Sequence, residues 1–373
     1  MKLWDKKYNE KIKKGYEDKT EIFLELAEST DYKEDGGDLI FSDVPKEVLD
    51  FVTLLQNYAN ETIKQNYTVT TNRVTNKQIE EAQKLITDLA NYTLVRPFIY
   101  QDFNEILLNI YKTLPRRMGN VKDFLLNENT KKDSMEHLVE AEQDLLDSLR
   151  GQVQTLSKTN IQKEKTVKGS KQSFEETFGL VIKPATVEDI KIIKKMMGPN
   201  SSQFVRAFQV MNKTTEANAA EWYKNAEAKF KKDPNWVDRK LYWHGSRNES
   251  WWSIVNNGLK LYPAKAIITG KMFGYGFYTS SCCQKSIGYT SLNSSYWAKG
   301  KDSRAFLGIY ELSHGRVKKV RNHKSEYCSL TEEKLKKEGF ETFHCDSGAD
   351  LRNPETIIYN EKQCTIRFLV EIK

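Results

Sequence analysis

The spacing of apolar residues divides the chain into two halves of different texture. Between about 43 and 155, apolar positions recur every three or four residues. Val48, Phe51, Val52 and Leu55 share one face of a helix expected to run from Lys46. Ile79, Ala82, Leu85, Ile86 and Leu89 share another. Ahead of them Thr75-x-x-Gln78 has the form of a capping box, in which a hydroxyl and an amide satisfy free backbone groups at a helix start. Phe103, Ile106, Leu107, Ile110, Tyr111 and Leu114 line a third face, which Pro115 stops. A fourth helix, from about Asp133, turns Leu138, Ala141, Leu145 and Leu149 inward and carries Glu140, Gln143, Asp144 and Asp147 on its opposite face. The four segments predict an all-α bundle over 43–155.

Residues 156–174 break this pattern. Lys158, Lys163, Lys165, Lys168 and Lys171 mix with small polar residues, the composition of a mobile basic linker. After it the periods alternate. A short strand ends at Val181-Ile182, and Thr186-x-x-Asp189 opens a helix holding Ile190, Ile193 and Met197. Phe204 to Met211 reads as a strand and Thr214 to Lys231 as a helix. Short strands follow near 241–244, 276–280, 305–312 and 355–359. At the end Ile366, Phe368, Val370 and Ile372 alternate with polar residues, as in a half-buried strand. The fold class expected is therefore α+β: an N-terminal helical bundle, then an α+β domain over 175–373 on a mostly antiparallel sheet.

Composition narrows the function without naming it. A length of 373 residues suits two or three domains at roughly 150 residues each. With 39% hydrophobic and 29% charged residues, wholesale disorder is excluded. No apolar run approaches the ~20 residues of a membrane helix, and the charged start Met1-Lys2-Leu3-Trp4-Asp5-Lys6-Lys7 lacks a signal peptide's apolar stretch. An intracellular protein is expected, nuclear in a eukaryote and cytoplasmic in a bacterium. Five cysteines, two of them adjacent and none in a Cys-x-x-Cys pair, argue against a disulfide framework. His323, Cys328, His344 and Cys345 are the nearest approach to a metal set, but their spacing is irregular and no metal is expected. A net charge of +7 tolerates an anionic partner, a dinucleotide or a nucleic acid, without singling one out.

Three segments carry the chemistry: Leu241-Tyr242-Trp243-His244-Gly245-Ser246-Arg247, Gly270-Lys271-Met272-Phe273-Gly274-Tyr275-Gly276-Phe277-Tyr278, and Asn353-Pro354-Glu355-Thr356-Ile357-Ile358-Tyr359. Each sets a polar side chain near a strand end beside glycine or aromatic residues. Together they imply a cleft with an imidazole, a phenol and a carboxylate, where glycines admit close backbone approach. A buried His, a core Tyr and a strand-end Glu are the competing reading of each alone.

Taken in order, the motifs resemble the catalytic domain of poly(ADP-ribose) polymerases. Trp243 to Ser246 match its Trp-His-Gly-(Ser/Thr), Gly270 to Tyr278 its glycine-rich stretch, and Lys285-Ser286-Ile287-Gly288-Tyr289 the helix that follows. Glu355-Thr356-Ile357-Ile358-Tyr359 nearly reproduce Glu-x-Ile-Val-Tyr. Upstream, Val44-Pro45-Lys46-Glu47-Val48, Ile110 to Pro115 and Asp144 to Asp147 are similar to the helical regulatory domain of DNA-damage-responsive members. Residues 1–42 form an N-terminal tail. Lys2-Leu3-Trp4 through Gly15-Tyr16 faintly resemble the end of a WGR domain, with an unrelated basic tail as the alternative.

The resemblance implies a reaction and roles. The enzyme would take NAD+ as substrate, cleave its nicotinamide–ribose bond and pass ADP-ribose to protein acceptors, itself included, and to a growing polymer. Glu355, His244 and Tyr278 would be catalytic. Gly245 would pair with the nicotinamide amide through its backbone, Ser286 would add a hydroxyl, and Tyr289 would stack on the ring. Ser246, Lys260, Ser280 and Lys285 would complete the substrate contacts. Glu140 and Asp147 would approach the adenosine end from the last regulatory helix, or be plain solvated carboxylates. That helix would shield the pocket until DNA breaks, sensed by the full-length protein, loosen it. Lys260 in place of an Arg, Thr279-Ser280 after Tyr278, Asn353-Pro354 before Glu355 and Gln143 at an acidic position depart from the family pattern. Residues 320–352 would form the acceptor loop. A mono-ADP-ribosyltransferase and a non-catalytic scaffold on damaged DNA are the alternatives.

Overall fold

The computed structural model describes residue 41 and residues 43–130, 132–165, 173–261, 272–293 and 295–373. The segment compared with a WGR domain lies outside these residues, as do Gly270, Lys271 and the stretch 166–172. Four helices come first: α1 (Lys46–Asn66), α2 (Asn76–Tyr92), α3 (Tyr100–Thr113) and α4 (Lys132–Lys165). The capping box of α2 forms, with Gln78 N donating to Thr75 Oγ1 at 3.2 Å and Thr75 N donating to Gln78 Oε1 at 3.0 Å. Ile63, Ile79, Ile86, Leu89, Phe103, Leu107, Val139 and Leu146 meet in one apolar core. The Arg116–Glu142 ion pair is buried beside it.

Two expectations are corrected here. The inward stripe of α4 is Val139, Leu146, Leu149 and Val153, whereas Leu138 and Leu145 are only partly buried and Ala141 is exposed. Gln143, expected on the polar face, is buried. The helix packs against the bundle on one side and the following domain on another, so its buried arc is rotated from a simple amphipathic stripe. Nor does α4 end at 155: residues 156–165, expected in a linker, are helical. Polar side chains at and beyond residue 155 have partners in the following domain. Trp252 Nε1 donates to Thr155 Oγ1 at 2.7 Å, and Lys158 Nζ donates to Asn256 Oδ1 at 2.7 Å.

The rest is α+β. After α5 (Phe174–Phe178), β1 (Leu180–Pro184), α6 (Val187–Met197), β2 (Phe204–Asn212), α7 (Lys213–Phe230) and β3 (Trp236–Val237) come β4 (Lys240–Gly245), α8 (Trp251–Asn257), β5 (Phe277–Thr279) and α9 (Cys283–Ile287). Then follow β6 (Ala305–Leu312), β7 (Gly315–Val320), α10 (Glu332–Lys337), β8 (Thr342–Cys345), β9 (Glu355–Ile358) and β10 (Cys364–Ile372). The strands form two five-stranded sheets, β1-β2-β10-β6-β4 and β3-β7-β8-β9-β5. All pairings are antiparallel except β7 with β8.

β10 is not half-buried, as its alternation suggests. It sits third in its sheet with both faces covered: Ile366 and Leu369 face the core that includes α1, while Val370 and Ile372 face the core that includes α6. Residues 320–352 include regular elements: Thr331 caps α10, and Phe343 of β8 is fully buried. α1 is shared between cores. Its first turns place Val48, Phe51, Val52 and Leu55 on the first sheet, where Phe51 stacks on Phe208 at 3.9 Å with ring planes 12° apart. Among the described residues no helix is long and apolar enough to cross a membrane.

Candidate active site

The two sheets meet where Trp243 of β4 and Ser280, just past β5, exchange backbone hydrogen bonds of 2.8 and 3.0 Å. This bridge brings the first two motifs side by side. His244 Nδ1 lies 3.0 Å from the Tyr278 carbonyl oxygen, which can only accept, so a proton on Nδ1 is required. Tyr278 is held at its own tip: its hydroxyl donates to Gly274 O at 2.7 Å and accepts from Phe273 N at 3.1 Å. Burial pushes that phenol well above its usual value, keeping it a neutral donor.

The third motif arrives through β9, which pairs with β5 on one side and β8 on the other. Glu355 opens the strand, and Ser280 Oγ donates to Pro354 O at 2.7 Å, fixing the approach. The Glu355 side chain is 6% exposed and meets Lys285 Nζ of α9 at 2.6 Å. Such a pair tolerates burial because each charge has a partner.

Gly245 ends β4 directly against α9. A Cβ there would lie 2.0 Å from the Ser286 carbonyl oxygen, so no side chain fits. The glycine therefore leaves backbone groups at the cleft wall, one residue from His244. Ser286 and Tyr289 complete this wall.

These groups line one cleft of ≈ 1740 Å³, well above the ~300–1,000 Å³ of an ordinary small-molecule pocket. His244, Gly245, Ser246, Tyr278, Ser280, Lys285, Ser286, Tyr289 and Glu355 all border it. Lys260 also borders it and is ion-paired with Glu361 at 2.9 Å.

The opposite wall is α4. Glu140 and Asp147 face the cleft together with Gln143, Asp144 and Arg150. Asp147 accepts from Arg150 Nη1 at 2.7 Å and from Gln143 Nε2 at 3.1 Å, and burial pushes it up to about 6. Asp144 is pushed up to about 7, first by the protein crowding the cleft and then by Asp147 and Glu140. Its side chain still reaches the cleft's water, so the crowding is partial.

Three features of the site escaped sequence reasoning. Arg150, the counter-ion of Asp147, was legible only as a charge three residues on. Tyr275 borders the cleft and packs on the bundle core, its phenol raised by burial and by Asp147, Glu140 and Asp144. Its place inside the glycine-rich motif was the available signal. Tyr296 and Trp297, in the loop after α9, also line the cleft and carry no motif. Among the described residues no group of three or more His, Cys, Asp or Glu side chains could hold a metal ion. His323 Nε2 meets Cys328 Sγ at 3.3 Å, while His344 is engaged by Thr356 and Asp346.

Comparison with known proteins places this arrangement. The family model "Poly(ADP-ribose) polymerase catalytic domain" matches residues 187–373, half of the chain. Over 169 residues the chain is 30% identical to the poly [ADP-ribose] polymerase-like protein 100L of Invertebrate iridescent virus 6, covering 44% of this chain and 88% of that protein. Over 153 residues it is 29% identical to the uncharacterized protein 101L of the same virus, covering 41% of this chain and 59% of the relative. Poly [ADP-ribose] polymerase 2 of Arabidopsis thaliana is 30% identical over 154 residues, 36% of this chain but only 24% of the plant protein. The matched residues span β4, β5, α9 and β9, the elements that carry the cleft. The chain belongs to the poly(ADP-ribose) polymerase catalytic-domain family.

Proposed function

We propose that this protein is an NAD+-dependent ADP-ribosyltransferase of the polymer-forming kind. It cleaves the nicotinamide–ribose bond and passes ADP-ribose to protein acceptors, itself included, and to a growing chain. The observation that carries the reading is the buried Glu355–Lys285 pair together with the close approach of the Gly245 backbone to Ser286, in a cleft large enough for a dinucleotide.

Breaking the bond leaves a ribose with oxocarbenium character, so the site must orient nicotinamide and stabilise positive charge. Gly245 pairs its backbone with the nicotinamide amide, and Ser286 adds its hydroxyl. Tyr289 stacks on the ring and Tyr278 walls the pocket. His244 hydrogen-bonds the adenosine ribose, with Ser246 beside it. Glu355 polarises the 2′-hydroxyl of the nicotinamide ribose, offsets the developing charge and orients the acceptor hydroxyl. Lys285 pairs with that carboxylate and holds it in place. Ser280 fixes the loop that delivers Glu355, and Lys260 lies toward the outer rim.

An intact His244, Tyr278 and Glu355 set supports polymer over single transfer. The carboxylates of α4 support a shielding role for the helical half, because Glu140 and Asp147 line the cleft, where they would meet the adenosine end of NAD+. In the full-length protein, breaks in DNA relieve that shielding. The test is incubation with labelled NAD+, with and without nicked DNA, followed by sizing of the products. Polymer ladders that lengthen with nicked DNA support the reading. Single transfer would turn it to a mono-ADP-ribosyltransferase, and no nicotinamide release would end it in favour of a non-catalytic scaffold.

A further inference from the structure

The loop after α9 holds two of the most exposed aromatic side chains among the described residues, Tyr296 at 76% and Trp297 at 59%. Neither ring is loosely placed. Trp297 N and Ala298 N both donate to Gly288 O, at 2.9 and 3.0 Å. Gly300 N donates to Ser295 Oγ at 2.8 Å, and Arg247 Nη2 donates to Ala298 O at 3.2 Å. Gly288 lets the indole in: a Cβ there would sit 3.1 Å from Trp297 Cδ1. The backbone thus holds a large apolar surface in water, at the mouth of the cleft, where burial alone would not leave it.

The position of the indole explains this. Its ring lies 6.1 Å from the Tyr289 ring with planes 17° apart, an offset stack within the usual range of aromatic pairs. Tyr296 meets the indole edge-on at 4.7 Å and 87°. Tyr289 is 40% exposed, so the cleft wall alone does not enclose it. The indole is the aromatic neighbour that limits how far its ring can swing.

We infer that Trp297 is a positioning residue for the pyridinium end of the substrate: stacked on Tyr289, it holds that ring parallel to the incoming nicotinamide and extends the stacking platform beyond one ring. The inference rests on the proposed function, specifically on Tyr289 stacking with nicotinamide. Tyr296 sets the indole's edge. Because Trp297 acts through the Tyr289 ring, it bears on binding and leaves the chemical step alone.

The experiment compares the full chain with Trp297→Ala and Trp297→Phe, using NAD+ and free nicotinamide. An aromatic stack is worth ~0.5–1.5 kcal/mol, which corresponds to about a 2- to 12-fold change. Trp297→Ala is expected to raise KM for NAD+ and the inhibition constant of nicotinamide by about that factor, with kcat and Tm unchanged and Trp297→Phe restoring most of the loss. Titrating nicotinamide should also perturb indole emission in the parent chain, and less in Trp297→Phe. Equal nicotinamide binding by Trp297→Ala and the parent overturns the inference alone. So does a fall in kcat and Tm together, which would mark a merely structural loop. A parent chain that neither binds nor releases nicotinamide overturns the proposed function itself.

Discussion

Lys285 Nζ and Glu355 Oε1 are 2.6 Å apart, on α9, which follows β5 in the chain, and on β9, which pairs with β5. Glu355→Gln keeps the shape and removes the charge. Transfer should fall by about 10²–10⁴-fold, the usual scale for a positioned acid–base group, while NAD+ binding persists. Nicotinamide release and product length on a gel measure it; polymer of parental length would reject the role given to the carboxylate.

Gly245 predicts a sharper loss than any conservative change around it. Gly245→Ala drives a methyl group into a backbone carbonyl that cannot rotate away, so β4 and α9 must separate. Nicotinamide binding should disappear, and Tm should fall with it. Ser286→Ala, which leaves that carbonyl where it is, should cost about tenfold or less, the worth of roughly one hydrogen bond. Calorimetric titration with nicotinamide distinguishes the two.

The contact between α4 and α8 supplies a test of shielding. A Cβ on Gly151 would lie 2.7 Å from Ser253 Cβ, so the helices touch through a glycine. Gly151→Val should force them apart, lower Tm, and raise nicotinamide release in the absence of DNA. A variant that is destabilised but no faster would show that this wall does not limit access.

Asp144 of α4 gives the fold a pH dependence. Its folded pKa of about 7 lies above the ordinary carboxyl value of 3.8. The folded state therefore favours the protonated form. Its charging opposes folding progressively as pH rises from about 4 through 7, and below that window the penalty is absent. Asp144→Asn, neutral throughout, should raise Tm at pH 8 and leave it nearly unchanged at pH 4.5. Thermal melts across that range decide it; an equal shift at both pH values would assign the gain to something other than charge.

Much of this was legible from residue order. Capping boxes at Thr75 and Thr186 mark helix starts because the groups involved are three residues apart. A period-two run marked β10 as a strand. What failed was anything set by remote neighbours. The burial of Gln143 depends on Gln83, sixty positions earlier, with which it exchanges hydrogen bonds of 2.7 and 2.9 Å. The second face of β10 is covered by helices that its own sequence cannot announce. α4 continues past Thr155 where α8 supplies partners: Trp252 Nε1 donates to Thr155 Oγ1, and Asn256 Oδ1 accepts from Lys158. The site shows the same division: His244, Tyr278 and Glu355 stand inside motifs, whereas Arg150 and Trp297 acquire meaning only from what they touch.

The dual membership of α1 bears on how the protein can be cut. Val48, Phe51, Val52 and Leu55 are fully or almost fully enclosed, and each contributes about 1.5–3 kcal/mol on leaving water. A fragment begun after residue 155 would therefore not be a liberated enzyme but a sheet stripped of its cover, prone to self-association through Phe208 and Phe306. Trimming that spares the first three turns of α1 would leave that cover seated on the first sheet.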